Sequence, residues 1–328
     1  AFAQSSANKN NIVKISVIGF IAGMAPDLDV FIRSSTDPIL FLEYHRQFTH
    51  SLFFIPFGAL MVTFFLYPLF RKTMSLKTVY LASFLGYATH GLIDACTSYG
   101  TLLFWPFSNE RVTWNNISIV DPLFTIPILI LTGTAIKTRK RLFSFFAIGW
   151  VAFYLSLGFV QYERALSALN ELAYSRGHNP ERLTLKPSFG NLILWKSIYQ
   201  HEENFYIDAI RTVRSSTWCR GESVGIFDYQ RHLPNLNKDS QQKKDIERFR
   251  WFSQDYLGFD KEKNLVTDIR YSMIPNQIAP MWGLVIDDQR DINEHAIWWA
   301  SRGLEQGQLD VFKQMLIGKN CRDSALAL

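Results

Sequence analysis

From Leu52 to Phe70, and again from Leu142 to Val160, the chain carries no charged residue. Each run comes close to the roughly 20 apolar residues that a helix needs to cross a bilayer. Two further stretches are long and apolar enough to be read the same way: Val79 to about Ala95, which contains His90, and Ile117 to Ile136, which contains Asp121. An earlier stretch, Ile15 to Ala25, is too short to span and reads as half a helix or a segment dipping into the membrane. The second half of the chain is polar, so a mean hydropathy of +0.00 conceals two unlike parts. The expected fold is an α-helical polytopic membrane domain over residues 1–160, followed by a soluble α+β domain over residues 161–328.

The charged loops give an expected orientation. Arg71, Lys72 and Lys77 lie between the first two spans, and Lys137, Arg139, Lys140 and Arg141 between the last two. The alternate loops carry only Arg33, Arg46 and Arg111. By the positive-inside rule the basic loops are cytoplasmic. The C-terminal domain is then periplasmic, and the protein is a multi-pass component of the bacterial inner membrane. The net charge of +5 includes no long basic stripe, so no nucleic-acid partner is expected. Cys96, Cys219 and Cys321 form no CxxC pair, which excludes a zinc knuckle and a dense disulfide scaffold. The opening residues Ala1 to Asn11 read as the end of one element and a linker, as if the natural N-terminus were missing, and no signal peptide is visible.

In the polar half, Gln161 to Arg176 has the periodicity of an amphipathic helix stopped by Gly177, and Asp239 to Leu257 reads as a second, ended by Gly258. Leu183 to Val213, Leu265 to Ile274 and Trp282 to Asp287 read as strands, and Ile292 to Gln306 as a Trp-rich helix.

This orientation brings the ionisable residues of the apolar half toward one outer face. His90 and Asp94, four apart, share a helix face. His45 and His50 lie in a loop entering a span, with Thr49 and Ser51 adding hydroxyls, and Asp27 and Asp29 follow Pro26. Ionisable groups at membrane depth are costly and usually face a site. Taken singly, each motif has a plainer reading: a His–Asp hydrogen bond, a helix cap at Ser51, or solvated loop carboxylates. Together, imidazoles and carboxylates suit zinc, and also manganese or iron. Six donors, or seven with Asp121, exceed one tetrahedral site, so the set has room for one ion or two, and two-ion centres are typical of phosphoester hydrolysis. Arg46 is a candidate for holding a phosphate, or else a lipid headgroup contact. Glu43 is a candidate general base or a solvated side chain. His178, His201 and His232 read as surface residues. His295 reads as a helix residue without a partner, and Trp282, Trp298 and Trp299 as core or interface packing.

The motifs Pro26-Asp27-Leu28-Asp29, His45-Arg46-Gln47-Phe48-Thr49-His50-Ser51-Leu52 and His90-Gly91-Leu92-Ile93-Asp94-Ala95-Cys96-Thr97-Ser98-Tyr99-Gly100, the Leu103-to-Ser108 run after them, and Ile119-Val120-Asp121-Pro122 resemble those of the YdjM-like family of membrane-bound, metal-dependent hydrolases. The match is looser at Arg248 to Ser253 and Asp268 to Ser272. Gln47 stands where the family pattern usually has Gly. The resemblance implies Asp27, Asp29, His45, His50, His90 and Asp94 as the metal and catalytic set, with Asp121 as an extra ligand. The His-x-x-x-Asp arrangement is also similar to that of zinc-dependent phospholipase C and P1-type nucleases. The expected activity is hydrolysis of a phosphoester or lipid-type ester at the outer membrane–water interface, with Arg46 and Ser51 binding substrate and membrane lipid as partner. The alternative is a metal-stabilised membrane scaffold or stress-response protein without turnover. A transporter is a third reading, disfavoured by the lack of repeated halves.

Overall fold

The computed structural model describes residues 1–301, 303, 307–319 and 321–323. A helical N-terminal region is followed by a C-terminal domain rich in β-sheet. The helices are α1 (Phe2–Ser5), α2 (Ile12–Met24), α3 (Leu40–Tyr44), α4 (Ile55–Phe70), α5 (Leu76–Cys96), α6 (Pro122–Thr138), α7 (Leu142–Ser175), α8 (Tyr229–His232), α9 (Gln241–Phe252) and α10 (Gln308–Leu316). Two 3-10 turns, Pro26–Phe31 and Phe48–His50, lie between α2 and α4.

The chain divides into two compact units. Residues 1–32, 44–160 and 189–191 form the first; residues 33–43, 161–188 and 192–328 form the second. In the first unit α2 presents Ile12, Ile15 and Ile18 to a core shared with Ala7, Met74, Val79, Ala82 and Ala135. Glycines let the backbones approach closely: a Cβ on Gly86 would stand 2.4 Å from the carbonyl oxygen of Gly19. α4 and α6 leave Phe64, Phe65, Leu69, Leu129 and Ile130 exposed, as lipid-facing helices do.

Among the described residues only α7 is by itself long and apolar enough to cross a membrane. The segments Leu40–His50 and Ile55–Phe70 pass that test only together, with a bend of 86° between them. α6 is apolar but shorter, and in α5 Lys77, Thr78, Thr89, His90 and Asp94 dilute the apolar character. Among the described residues the structure thus supports one clear span of the four expected.

The structure differs from the sequence reading in three elements of the polar half. α7 is one helix of 34 residues, where a span and a separate amphipathic helix were expected. At a rise of about 1.5 Å per residue it is on the order of 50 Å long. No breaker separates Val160 from Gln161, and the first helix-ending residue is Gly177, at φ 74°. α9 stops at Phe252, before a strand that contains Gly258. Ile292 to Gln306 is no helix: Ile297–Ala300 is a strand, β-branched and aromatic as strands favour, and residues 302 and 304–306 lie outside the described residues.

The second unit holds two antiparallel sheets. β1 (Arg182–Pro187), β2 (Leu194–His201), β3 (Asn204–Thr212) and β4 (Ser216–Cys219) form a meander. β5 (Ser223–Gly225) pairs with β3, and β10 (Arg322–Asp323) with β4. β6 (Leu257–Asp260), β7 (Leu265–Asp268), β8 (Trp282–Val285) and β9 (Ile297–Ala300) form the other sheet. The C-terminal half of α7 lays Ala165, Ala168, Leu169, Leu172 and Ala173 on Leu185, Trp195, Tyr199 and Ile210 of the first sheet. That is the i, i+3, i+4, i+7 stripe of an amphipathic helix. A disulfide joins Cys219 to Cys321, and Cys96 is free and buried.

Candidate metal centre

Three segments of the first unit bring four donor atoms together. Pro26 at the start of a 3-10 turn directs Asp27 and Asp29. The second 3-10 turn places His50, which is only 2% exposed. The last turns of α5 carry His90 and Asp94. Gly91 permits this meeting, since a Cβ there would stand 2.1 Å from the carbonyl oxygen of His50. Tyr87, one turn earlier, donates to the carbonyl oxygen of Thr49 at 2.9 Å.

The hydrogen bonds assign the tautomers. Nδ1 of His90 lies 2.6 Å from the carbonyl oxygen of Gly23, which can only accept, so Nδ1 carries a proton and, in the neutral imidazole, Nε2 holds the lone pair. Thr49 gives its single hydroxyl proton to Asp29 Oδ2 at 2.8 Å. Its oxygen therefore accepts from His50 Nδ1, 3.0 Å away, and in the neutral imidazole Nε2 of His50 is again the lone-pair nitrogen. Both Nε2 atoms face the same two carboxylate oxygens. His50 Nε2 lies 3.4 Å from Asp27 Oδ1 and 3.2 Å from Asp94 Oδ2, and His90 Nε2 lies 3.2 Å and 3.5 Å from the same two atoms.

With both imidazoles neutral these are four acceptors, and they repel unless a cation lies among them or protons bridge them. Buried His50 Nε2 and Asp94 Oδ2 make no hydrogen bond of acceptable geometry despite their proximity. All four donor atoms lie within 4.8 Å of one another. In a tetrahedron with bonds of about 2.0–2.1 Å, the zinc–ligand range, neighbouring donors stand about 3.3 Å apart. The residues present fit a divalent ion.

Asp29 and His45 form a layer behind this group. Asp29 Oδ1 accepts from His45 Nδ1 at 2.8 Å, and Oδ2 accepts from the Arg46 amide at 3.0 Å as well as from Thr49. Carboxylates in this position orient ligating imidazoles. Without an ion, protonated imidazoles of His50 and His90 would donate to Asp27 and hold its carboxyl well below the usual carboxylate range. Burial alone would raise Asp29, but the bonds from His45, His50 and Thr49 outweigh it and hold Asp29 low as well.

The other candidates are used differently. Among the described residues one ligand group is assembled, where the sequence suggested enough donors for two ions. Asp121 stays outside it: it caps α6, accepting from the Leu123 and Phe124 amides at 3.0 and 3.2 Å and from the Tyr154 hydroxyl at 2.8 Å. Pro122 at the first helical position is the sequence signal for that role. Ser51 donates to the Phe48 carbonyl and accepts from the Phe54 amide, so it shapes the turn. Arg46, at φ 61°, sets its Nε 3.1 Å from Asp94 Oδ2, donates to Thr97 Oγ1 at 3.0 Å and lies over the Tyr99 ring. It braces a ligand rather than standing ready as an unengaged anion clamp.

Outside the cluster, Glu43 belongs to the second unit, where Arg248 pairs with it and with Asp37. His295 does have a partner: Nδ1 lies 2.9 Å from Asp245 Oδ2. Trp298 packs on Phe41 and Phe249. His178 stacks on His201 at 4.4 Å.

Fold and cluster define a helical unit with a histidine–carboxylate group that could hold a metal ion, joined to a sheet-rich domain. Residues 1–165 match the family described as YdjM inner membrane protein, and the chain belongs to that family. Over 111 residues it is 30% identical to the uncharacterized protein YfhP of Bacillus subtilis (strain 168), covering 34% of this chain and 33% of that protein. The chain thus spans about a third of the length of this curated relative. No solved structure matches it.

Proposed function

We propose that the protein is a metal-dependent hydrolase of the inner membrane, cleaving a phosphoester or lipid-type ester where headgroups meet water. The convergence of two imidazole lone pairs and two carboxylate oxygens carries this reading. Asp27, His50, His90 and Asp94 would hold the ion, most simply zinc, with manganese or iron compatible with the same donors. When bound, a divalent ion supplies Lewis-acid polarisation and a more acidic water. Asp27, its side chain 43% exposed, forms the open edge of the cluster. His45 donates its Nδ1 proton to Asp29, which leaves Nε2 as the basic nitrogen of a partly exposed imidazole. This dyad has the form of a general base, with Asp29 orienting His45. Arg46 keeps Asp94 in place, and its remaining donors suit an anionic substrate group.

A periplasmic C-terminal domain belongs to the same proposal. Its support is the Cys219–Cys321 disulfide, since such bonds persist in oxidising compartments. Several further membrane passes, with a domain boundary near residue 160, complete it. The second reading, a metal-stabilised scaffold, is favoured by one observation: four protein donors are enough to close a structural zinc site.

Turnover of a panel of phospholipids and aryl phosphodiesters by the detergent-purified protein distinguishes the two. The hydrolase reading expects metal-dependent turnover that falls about a hundredfold or more in His45→Gln while metal content is kept. Turnover equal in wild type and His45→Gln refutes the dyad. No turnover of any substrate, together with loss of thermal stability on chelation, favours the scaffold.

A further inference from the structure

At the other end of the helical unit the charge pattern reverses. The segments 1–25, 65–80 and 132–145 hold Lys9, Lys14, Arg71, Lys72, Lys77, Lys137, Arg139, Lys140 and Arg141, and no aspartate or glutamate. They meet in one core, where Ala7, Ile12, Met74 and Ala135 pack together against Phe70 and Phe143. There the surface opens into a cleft of ≈ 470 Å³, with Asn8 and Lys9 on one side and Arg139, Lys140, Arg141 and Leu142 on the other. Both walls have defined backbones. Asn8 Oδ1 accepts from the Asn10 and Asn11 amides, and Asn11 Oδ1 accepts from the Asn8 amide at 2.7 Å, closing a tight turn around Lys9. Arg139, left-handed at φ 59°, ends α6 and turns the chain into α7. Leu142, which lines the cleft, and Phe145 and Phe146 on the same first turn of α7 are about half exposed.

We propose that this cleft binds the phosphodiester headgroup of an anionic phospholipid. Four cations from two chain segments line this open cleft with no carboxylate among the lining residues, which suits an anion. The exposed apolar side chains at its border place that anion where acyl chains begin, which selects a lipid over a soluble phosphate. The site is separate from the histidine–carboxylate cluster, shares no residue with it and does not depend on the hydrolase reading.

The test titrates the full chain in detergent with short-chain phosphatidylglycerol, phosphatidylcholine and inorganic phosphate. The comparison is between wild type, the cleft variant Arg139→Gln/Lys140→Gln/Arg141→Gln and the loop variant Arg71→Gln/Lys72→Gln/Lys77→Gln. Each cation near a lipid headgroup is worth roughly fivefold in affinity, so the cleft variant should bind phosphatidylglycerol on the order of a hundredfold more weakly. The loop variant, which removes the same charge, should lose less than about fivefold. Equal losses in both variants would show a diffuse basic surface and overturn the proposal. Phosphatidylcholine binding as well as phosphatidylglycerol, or phosphate binding as tightly as either, would overturn it too. Lys9→Gln probes the opposite wall with a single change: a loss of about fivefold supports the cleft and no loss overturns it, even where the triple variant misfolds.

Discussion

Replacing Asp29 by asparagine removes a charge and no heavy atom. In the native protein Oδ1 accepts from His45, and Oδ2 accepts from the Arg46 amide and from Thr49. An asparagine has one oxygen, which should keep the two-donor side and turn its NH2 toward His45. His45 must then present a lone pair at Nδ1 and move its proton to Nε2. Losing one hydrogen bond to a charged group costs about 1.5–3 kcal/mol of apo-protein stability, reduced by whatever the new tautomer recovers. The four donor atoms themselves are untouched, but the Thr49–His50 link loses its anionic anchor. Loss of such an outer carboxylate typically weakens metal binding about 10–100-fold, or about 1.4–2.7 kcal/mol. The assay is zinc titration against a competing chelator in detergent, with thermal melting of the metal-free protein to separate affinity from folding. Asp27→Asn, which alters a donor, should weaken binding more than Asp29→Asn does. Unchanged affinity in Asp29→Asn refutes the two-layer account. Complete loss, equal to that of Asp94→Ala, would make Asp29 a direct ligand and refute it equally.

Gly91→Ala should press a methyl group into the His50 carbonyl, destabilise the fold by about 1–3 kcal/mol and lower metal content together with melting temperature. Asp121→Ala removes the cap of α6 and the acceptor of Tyr154; it should cost about 0.5–2 kcal/mol in melts and leave metal stoichiometry unchanged. Lys196, buried and donating to Ser272 and the Gln277 carbonyl, has its amine pulled by burial from 10.5 down to about 7. Between those values the unfolded chain binds the extra proton, so stability should rise as pH increases from about 7 to about 10. Lys196→Met should flatten that slope in denaturant melts at several pH values, and an unchanged slope would assign it to other groups.

What could be read from the sequence were local relations. The i, i+4 spacing of His90 and Asp94 already put both on one face of α5. Pro26 and the residues entering the apolar run at Leu52 marked two turns beside it. The layering was not legible: alternation does not reveal that Asp27 reaches the shared space while Asp29 turns back onto His45, Thr49 and the Arg46 amide. Asp121-Pro122 carried a capping signature that its place among other acidic candidates obscured. Glu43 and His295 found partners far along the chain, in Arg248 and Asp245, a kind of contact that periodicity does not encode. The Cys219–Cys321 bond likewise joins residues 102 apart in sequence. Trp298 and Trp299 fit a helix or a strand by composition alone, and pairing with β8 decides for the strand.

The most direct test of the central claim is elemental analysis of the detergent-purified protein, wild type beside His50→Ala/His90→Ala. The account predicts near-stoichiometric zinc, manganese or iron in the wild type, about one ion per chain as one four-donor group implies, and its loss in the double variant. Wild-type protein that holds no metal after reconstitution, or a double variant that keeps it, would contradict the account.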